Sequence, residues 1–315
     1  MNTEQAFARL KDVFNQGKLA GSWLVQGPYG VGKSALIRRF ANFLLTGNEN
    51  SELTLHPDLK WIEKDYTEEE KKDIIKTIQA GKELDEDIKR DRKSEITIDD
   101  IRKGIQFLSL TASGDKWRVL VIDTADDMNE NAANALLKLL EEPPAQAVIF
   151  LLSHNPGKLL PTIRSRCRSI HLTPLSKEEM KSFILGSYPD SENVDALVEL
   201  SDGSIGKYYK LKEMNGLEYY QEMALLLEKN PIDVTALFSF AEKVSKDESI
   251  YDMVKDLLLS FVLLQIKKEP PSKEKLDLYL EIWDDMVQQF KDVKSLYLDK
   301  KSTLVSLMLK IGRIK

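Results

Sequence analysis

Gly27-Pro-Tyr-Gly-Val-Gly-Lys-Ser34 has the spacing GxxxxGK[ST], a loop that can wrap a phosphate group. The chemistry needs these residue types. Gly27, Gly30 and Gly32 let successive backbone amides curl around an anion, and a following helix adds its positive N-terminus. Lys33 would neutralise phosphate oxygens, and the Ser34 hydroxyl can hold a magnesium ion. Farther along, Leu120-Val-Ile-Asp123 ends an apolar run in a carboxylate that can reach the same magnesium through water; alternatively Asp123 caps a strand end. Thr124 follows, and a hydroxyl is a poor general base near neutral pH. Asp126 and Asp127 are spaced to aim elsewhere. The pattern predicts that ATP or ADP binds with Mg2+ while the chain's own hydrolysis is weak or absent. Cys167, the one cysteine, has no histidine in a catalytic pattern with it and reads as a small buried apolar residue. His56 and His171 have no metal-ligand spacing.

These residues need elements to hold them. Short apolar runs at Ser22–Gln26, Leu59–Glu63, Arg118–Asp123, Ala147–Leu152 and Arg168–Leu172 alternate with helical patterns. That alternation predicts an α/β fold with a five-stranded parallel sheet and crossover helices. Arg118–Asp123 and Ala147–Leu152 are apolar on both faces, as central strands must be. Ala35–Leu45 follows the loop as a helix. Asn129–Leu140 sets Ala132, Ala133, Leu136, Leu137 and Leu140 on one helical face, and Pro143-Pro144 stops it. The charged stretch Lys64–Glu95, with a weak stripe of Ile74, Ile75 and Ile78, reads as a solvated helical insertion. Ser176-Lys-Glu-Glu179 reads as a capping box. Three parts follow: 1–173, the α/β module; 174–213, a small set of helices; and 214–315, helical throughout, with breaks at Pro231 and Pro270-Pro271. In the last part Tyr279, Ile282, Trp283, Met286, Phe290, Val293 and Leu296 recur at helical spacing, as do Leu304, Val305, Leu307, Met308 and Ile311.

Composition narrows the classes. The chain has 315 residues, 42% hydrophobic and 30% charged, enough to bury a core. A single cysteine excludes an internal disulfide framework and a four-cysteine zinc module. A net charge of −6 argues against a surface dominated by nucleic-acid phosphates. The apolar stretch Leu257–Ile266 is too short to span a bilayer, and the first residues hold no apolar signal core. A cytoplasmic protein without a membrane partner is expected.

Taken together, the motifs resemble a family. Asn131-Ala-Ala-Asn-Ala-Leu-Leu-Lys-Leu-Leu-Glu-Glu-Pro-Pro144 resembles the most distinctive segment of bacterial clamp-loader subunits. Ser165-Arg-Cys167, preceded by Leu159-Leu-Pro-Thr-Ile-Arg164, resembles their SRC motif, and the phosphate loop and Asp123 fall in the expected order. The resemblance implies an AAA+ P-loop module over 1–173, a helical lid over 174–213 and a helical collar for oligomerisation over 214–315. It implies that Arg166 is an arginine finger placed in the ATP site of a neighbouring subunit; by residue type alone Arg166 would pair with a local carboxylate such as Glu142. It places the γ-phosphate sensor at the end of the fourth strand, Asn155 first and Ser153 second, and a second sensor near Lys207. Implied partners are the gamma/tau and delta subunits, with the sliding clamp and primed DNA reached through the complex. The ATPase subunits of gamma/tau type carry four zinc cysteines where this chain has Lys64–Glu95, which holds neither cysteine nor histidine. No zinc is expected. With Thr124 and the absence of a long tail, this favours a stator subunit over a catalytic gamma/tau-type ATPase. The intact phosphate loop favours the ATPase. An unrelated regulatory P-loop protein is a third reading.

Overall fold

The computed structural model describes residues 1–49, 56–67, 69–72, 92–109, 117–189, 191–229, 231–268 and 272–312. It forms two compact units, Met1–Leu175 and Ser176–Lys315. Ile74, Ile75 and Ile78 of the charged insertion, and Pro270-Pro271, lie outside the described residues.

The first unit is an α/β sandwich. Strands β1 (Gly21–Gln26), β2 (Leu59–Ile62), β3 (Arg118–Asp123), β4 (Ala147–Ser153) and β5 (Arg168–His171) form one parallel sheet in the order β2-β3-β4-β1-β5. Side chains alternate between the two faces of a strand. Trp23, Val25, Val121, Phe150 and Leu152 therefore pack on one face, against α1 (Thr3–Asn15) and α2 (Lys33–Thr46). Leu24, Leu120, Ile122, Ile149 and Leu151 pack on the other, against α3 (Ile98–Ser109) and α4 (Glu130–Glu141). Both faces are covered, which is why β3 and β4 carry no polar alternation. Asn129 caps α4, its side chain accepting from the Ala132 amide at 2.9 Å. The buried stripe of α4 runs through Leu139 in place of the expected Leu137, which is half-buried, because a helical stripe drifts around the axis at 100° per residue. Helix α3 is an addition to the sequence reading. Ile101, Gly104 and Leu108 bury one face of it, and the acidic residues at its start merge in sequence with the charged stretch before it. Described parts of that stretch are tied down by ion pairs: Lys64 to Asp127 at 3.1 Å and Arg92 to Glu63 at 2.9 Å. A single turn, α5 (Pro161–Arg164), precedes β5.

The second unit is helical throughout its described residues: α6 (Lys177–Ser187), α7 (Val194–Ser201), α8 (Ile205–Glu213), α9 (Gly216–Glu228), α10 (Val234–Ser245), α11 (Glu248–Lys268), α12 (Lys273–Ser295) and α13 (Lys300–Gly312). The capping box at its start is present: Ser176 Oγ accepts from Glu179 N at 3.1 Å, and Ser176 N donates to Glu179 Oε2 at 2.9 Å. Leu237, Phe240, Val254, Leu258, Met286, Leu304 and Met308 are among its buried residues. Leu296, expected within the apolar stripe, is instead 65% exposed, because α12 ends at Ser295.

Candidate nucleotide-binding site

All five strands run the same way, so their C-terminal ends share one edge of the sheet, where parallel α/β folds place their ligands. Gln26 at the end of β1 lies opposite Ser153 at the end of β4, and Asp123 ends β3 opposite Leu152. The phosphate loop leaves β1 at this edge and delivers Lys33 as the first residue of α2. Two glycines are required by geometry. Gly27 has φ +155°, and a Cβ there would stand 2.5 Å from the Leu172 carbonyl oxygen. Gly32 caps α2 with φ +92°, a left-handed conformation that brings the loop into the helix without a side chain over its first amides.

The Lys33 side chain is buried, with only 4% of the residue exposed. Its ammonium donates to the carbonyls of Gly27 at 2.7 Å and Pro28 at 2.8 Å, and stands 2.6 Å from His154 Nδ1. Burial pushes its pKa down to about 8, while Asp123 and Asp126 pull it upward. Ser34 Oγ donates to Asp123 Oδ2 at 2.7 Å, so the two expected magnesium ligands meet across 89 positions of sequence. A hydroxyl and a carboxylate are hard oxygen ligands that suit Mg2+ shared with phosphate. A loop whose Gly27 leaves no room for a Cβ and whose Gly32 is left-handed, a buried lysine and this oxygen pair fit a nucleoside phosphate with its magnesium. Among the described residues no group of three or more His, Cys, Asp or Glu side chains is placed to hold a metal by itself.

Beyond Asp123, the neighbouring side chains serve one another. Thr124 Oγ1 lies 3.4 Å from Asp123 Oδ1 and 3.2 Å from His154 Nε2. Asp126 accepts from Ser153 Oγ at 2.5 Å and from the amides of His154 at 2.6 Å and Asn155 at 2.9 Å. It therefore ties the turn after β3 to the end of β4, as its spacing away from the phosphate loop suggested. Ser153 is fully buried in this tie, and Asn155 is exposed and joins it through its backbone amide. The side chain that the end of β4 brings to Lys33 is His154. Sequence reasoning missed it; the nearest signal was its position directly after a strand-end Ser. Burial, and then the Lys33 charge, hold the His154 pKa below its ordinary value. Tyr29, 62% exposed on the loop, sets its ring edge-on to His154 at 5.4 Å.

Arg166 follows α5 and is exposed. Its Nε donates to Glu141 Oε1 at 2.8 Å, one terminal nitrogen also pairs with Glu141, and the other donates to the Thr162 carbonyl at 3.0 Å. The carboxylate partner is Glu141, the last residue of α4, and not its neighbour Glu142. Cys167 packs beside it against the α4 face of the sheet, and burial pushes its thiol up to about 12, which keeps it protonated and inert. Arg168 is structural: it lies over Trp23 at 4.2 Å and donates to the Lys18 carbonyl at 2.8 Å. His56 accepts from the Asp58 amide at 3.1 Å, and the His171 carbonyl accepts from the Met1 nitrogen at 3.1 Å. In the second unit Lys207, near the start of α8, donates to Ser260 Oγ at 3.1 Å, and burial lowers its pKa.

A five-stranded parallel sheet in this order, with the phosphate loop after its first strand and the carboxylate after its third, defines an AAA+ P-loop module. The crystal structure of a DNA polymerase III, gamma subunit-related protein from Thermotoga maritima superposes with TM-score 0.51, covering 100% of both chains at 19% identity, which supports the fold. Residues 2–176 match the family described as DNA polymerase III, delta subunit, and the chain belongs to that family. Among its relatives, DNA polymerase III subunit delta' of Pseudomonas aeruginosa is 30% identical over 211 residues, 66% of this chain and 60% of that protein. DNA polymerase III subunit gamma of Buchnera aphidicola subsp. Schizaphis graminum is 30% identical over 227 residues, 70% of this chain and 56% of that protein. The chain thus matches less than two thirds of the length of each. No helix among the described residues is long and apolar enough to cross a membrane.

Proposed function

We propose that this chain is a delta-prime-type stator of a sliding-clamp loader. In this reading it supports ATP-dependent loading of the clamp onto primed DNA. It stands between a gamma/tau ATPase subunit and delta, and it touches clamp and DNA through the complex. The carrying observation is the combination of an assembled phosphate loop with Thr124 bonded to His154. Lys33, Ser34 and Asp123 can hold a nucleotide and its magnesium, which would supply charge neutralisation at the phosphates. Thr124 is engaged by its neighbours and cannot take a proton from an attacking water near neutral pH. Own hydrolysis is therefore weak, and nucleotide serves as a structural ligand.

Arg166 supplies the chain's part in catalysis. It is a planar, always charged group suited to the γ-phosphate charge that develops in a neighbour's site. Glu141 and the Thr162 carbonyl hold it on the surface beside the Asn131–Pro144 segment that carries the family likeness. Asn155 keeps the proposed γ-phosphate sensor role, its side chain turning to nucleotide, and Lys207 keeps the proposed second sensor role. The reading as a catalytic gamma/tau-type subunit is separated by two measurements. The isolated chain should turn over ATP at background rate, and on gel filtration it should co-elute with gamma/tau and delta. Efficient turnover by the chain alone would favour the ATPase reading. Failure to co-elute would remove the clamp-loader reading altogether.

A further inference from the structure

The hydrogen bonds around Lys33 form a chain with a direction. A lysine ammonium only donates, so His154 Nδ1 must be the acceptor at 2.6 Å and Nε2 must carry the ring proton. That proton points to Thr124 Oγ1 at 3.2 Å, and the Thr124 hydroxyl in turn lies 3.4 Å from Asp123 Oδ1. Lys33, His154, Thr124 and Asp123 are thereby linked in sequence, joining the phosphate loop to the ends of β3 and β4. The ring is fixed from behind as well, because Asp126 holds the His154 amide at 2.6 Å and Tyr29 lies edge-on to the ring. Lys33 is thus a buried ammonium whose donors go to Gly27, Pro28 and His154, two backbone carbonyls and one side chain. Only the side chain can be changed without altering the loop.

We propose that His154 is a positioning residue of the nucleotide site, a side-chain acceptor that competes with phosphate for the Lys33 ammonium, with Thr124 fixing the ring tautomer that makes it an acceptor. This rests on the nucleotide-binding reading above. It gives Thr124 a positive role at the place where an ATPase would keep a carboxylate. A phosphate oxygen reaching Lys33 must displace one of its three acceptors, and His154 Nδ1, held closest of the three, makes that exchange costlier, so the site binds nucleoside diphosphate more weakly than its loop alone would.

The test is equilibrium binding of a fluorescent (methylanthraniloyl) ADP with Mg2+ to the full chain; the diphosphate leaves γ-phosphate contacts out of the comparison. His154→Ala should bind about tenfold tighter, about 1.4 kcal/mol, the low end of what a hydrogen bond to a charged group contributes. His154→Asn places an amide oxygen near the position of Nδ1 and should return affinity toward wild type, a rescue that a purely structural role would not give. Thr124→Val keeps the ring but removes its tautomer partner and should tighten binding by a smaller factor; with His154→Asn it keeps the test open if His154→Ala lowers stability. Lys33→Ala should abolish binding in every background. Equal or weaker binding by His154→Ala and Thr124→Val, with Lys33→Ala still abolishing it, would overturn the competition and leave the nucleotide reading standing. Absence of binding by wild type and all variants would overturn both.

Discussion

Asp126→Ala removes the acceptor that ties the turn after β3 to the end of β4. Three hydrogen bonds to its carboxylate are lost: from Ser153 Oγ at 2.5 Å, His154 N at 2.6 Å and Asn155 N at 2.9 Å. A hydrogen bond to a charged group is worth about 1.5–3 kcal/mol, and a buried donor left unpaired costs about 1–3 kcal/mol. Water can replace the partner of the exposed Asn155, but not readily that of Ser153, which is fully buried. The expected loss is therefore about 3–5 kcal/mol from the first unit, or a fall in Tm of about 6–20 °C for a unit of this size. Asp126→Asn keeps one acceptor oxygen and should cost about half as much. The assay is urea and thermal unfolding followed by tryptophan fluorescence, since Trp23, Trp61 and Trp117 lie in the first unit and Trp283 in the second. A loss below about 1 kcal/mol for Asp126→Ala would refute the reasoning, because it would mean the three donors find equal partners without the carboxylate.

Gly27→Ala, at φ +155° and with its new methyl 2.5 Å from the Leu172 carbonyl, should destabilise the first unit by about 2 kcal/mol or more and weaken nucleotide binding with it; unchanged Tm and affinity would contradict the geometry of the loop. Burial pushes the Cys167 thiol up to about 12, so at pH 8 only about one part in ten thousand is thiolate. Iodoacetamide should accordingly label the native chain at least about a hundredfold more slowly than the urea-unfolded chain, and the native rate should rise with pH while the chain stays folded. Arg166→Ala removes a solvent-exposed pair with Glu141, so unfolding should shift by less than about 1 kcal/mol.

Much of this was readable in the residues. The five strands start or end within one residue of their expected bounds, because unbroken apolar runs between helical patterns leave few alternatives in a parallel sheet. Gly27, Gly32, Lys33, Ser34 and Asp123 converge because a P-loop and a strand-end carboxylate are short-range patterns whose separation the topology closes. Helix α3 escaped because its acidic first turn continues the charged stretch before it, which hides the 3.6-residue period of Ile101, Gly104 and Leu108. Choosing between His154 and Asn155 requires knowing which way the chain turns after the last strand pair, a matter of tertiary geometry. The same holds for Glu141 against Glu142: adjacent residues at a helix end point about 100° apart, and only the position of the α5 turn decides which meets Arg166.

The central claim is that Arg166 works in a neighbour's site. A loader reconstituted with this chain, gamma/tau and delta, with assembly verified by gel filtration, should be assayed for ATPase stimulated by clamp and primed DNA, wild type against Arg166→Ala. A finger supplied in trans predicts a fall of about a thousandfold or more at the site it serves, with assembly and stability intact. Unchanged turnover in an intact complex would show that Arg166 only pairs with Glu141, and the catalytic contribution assigned to this chain would be wrong.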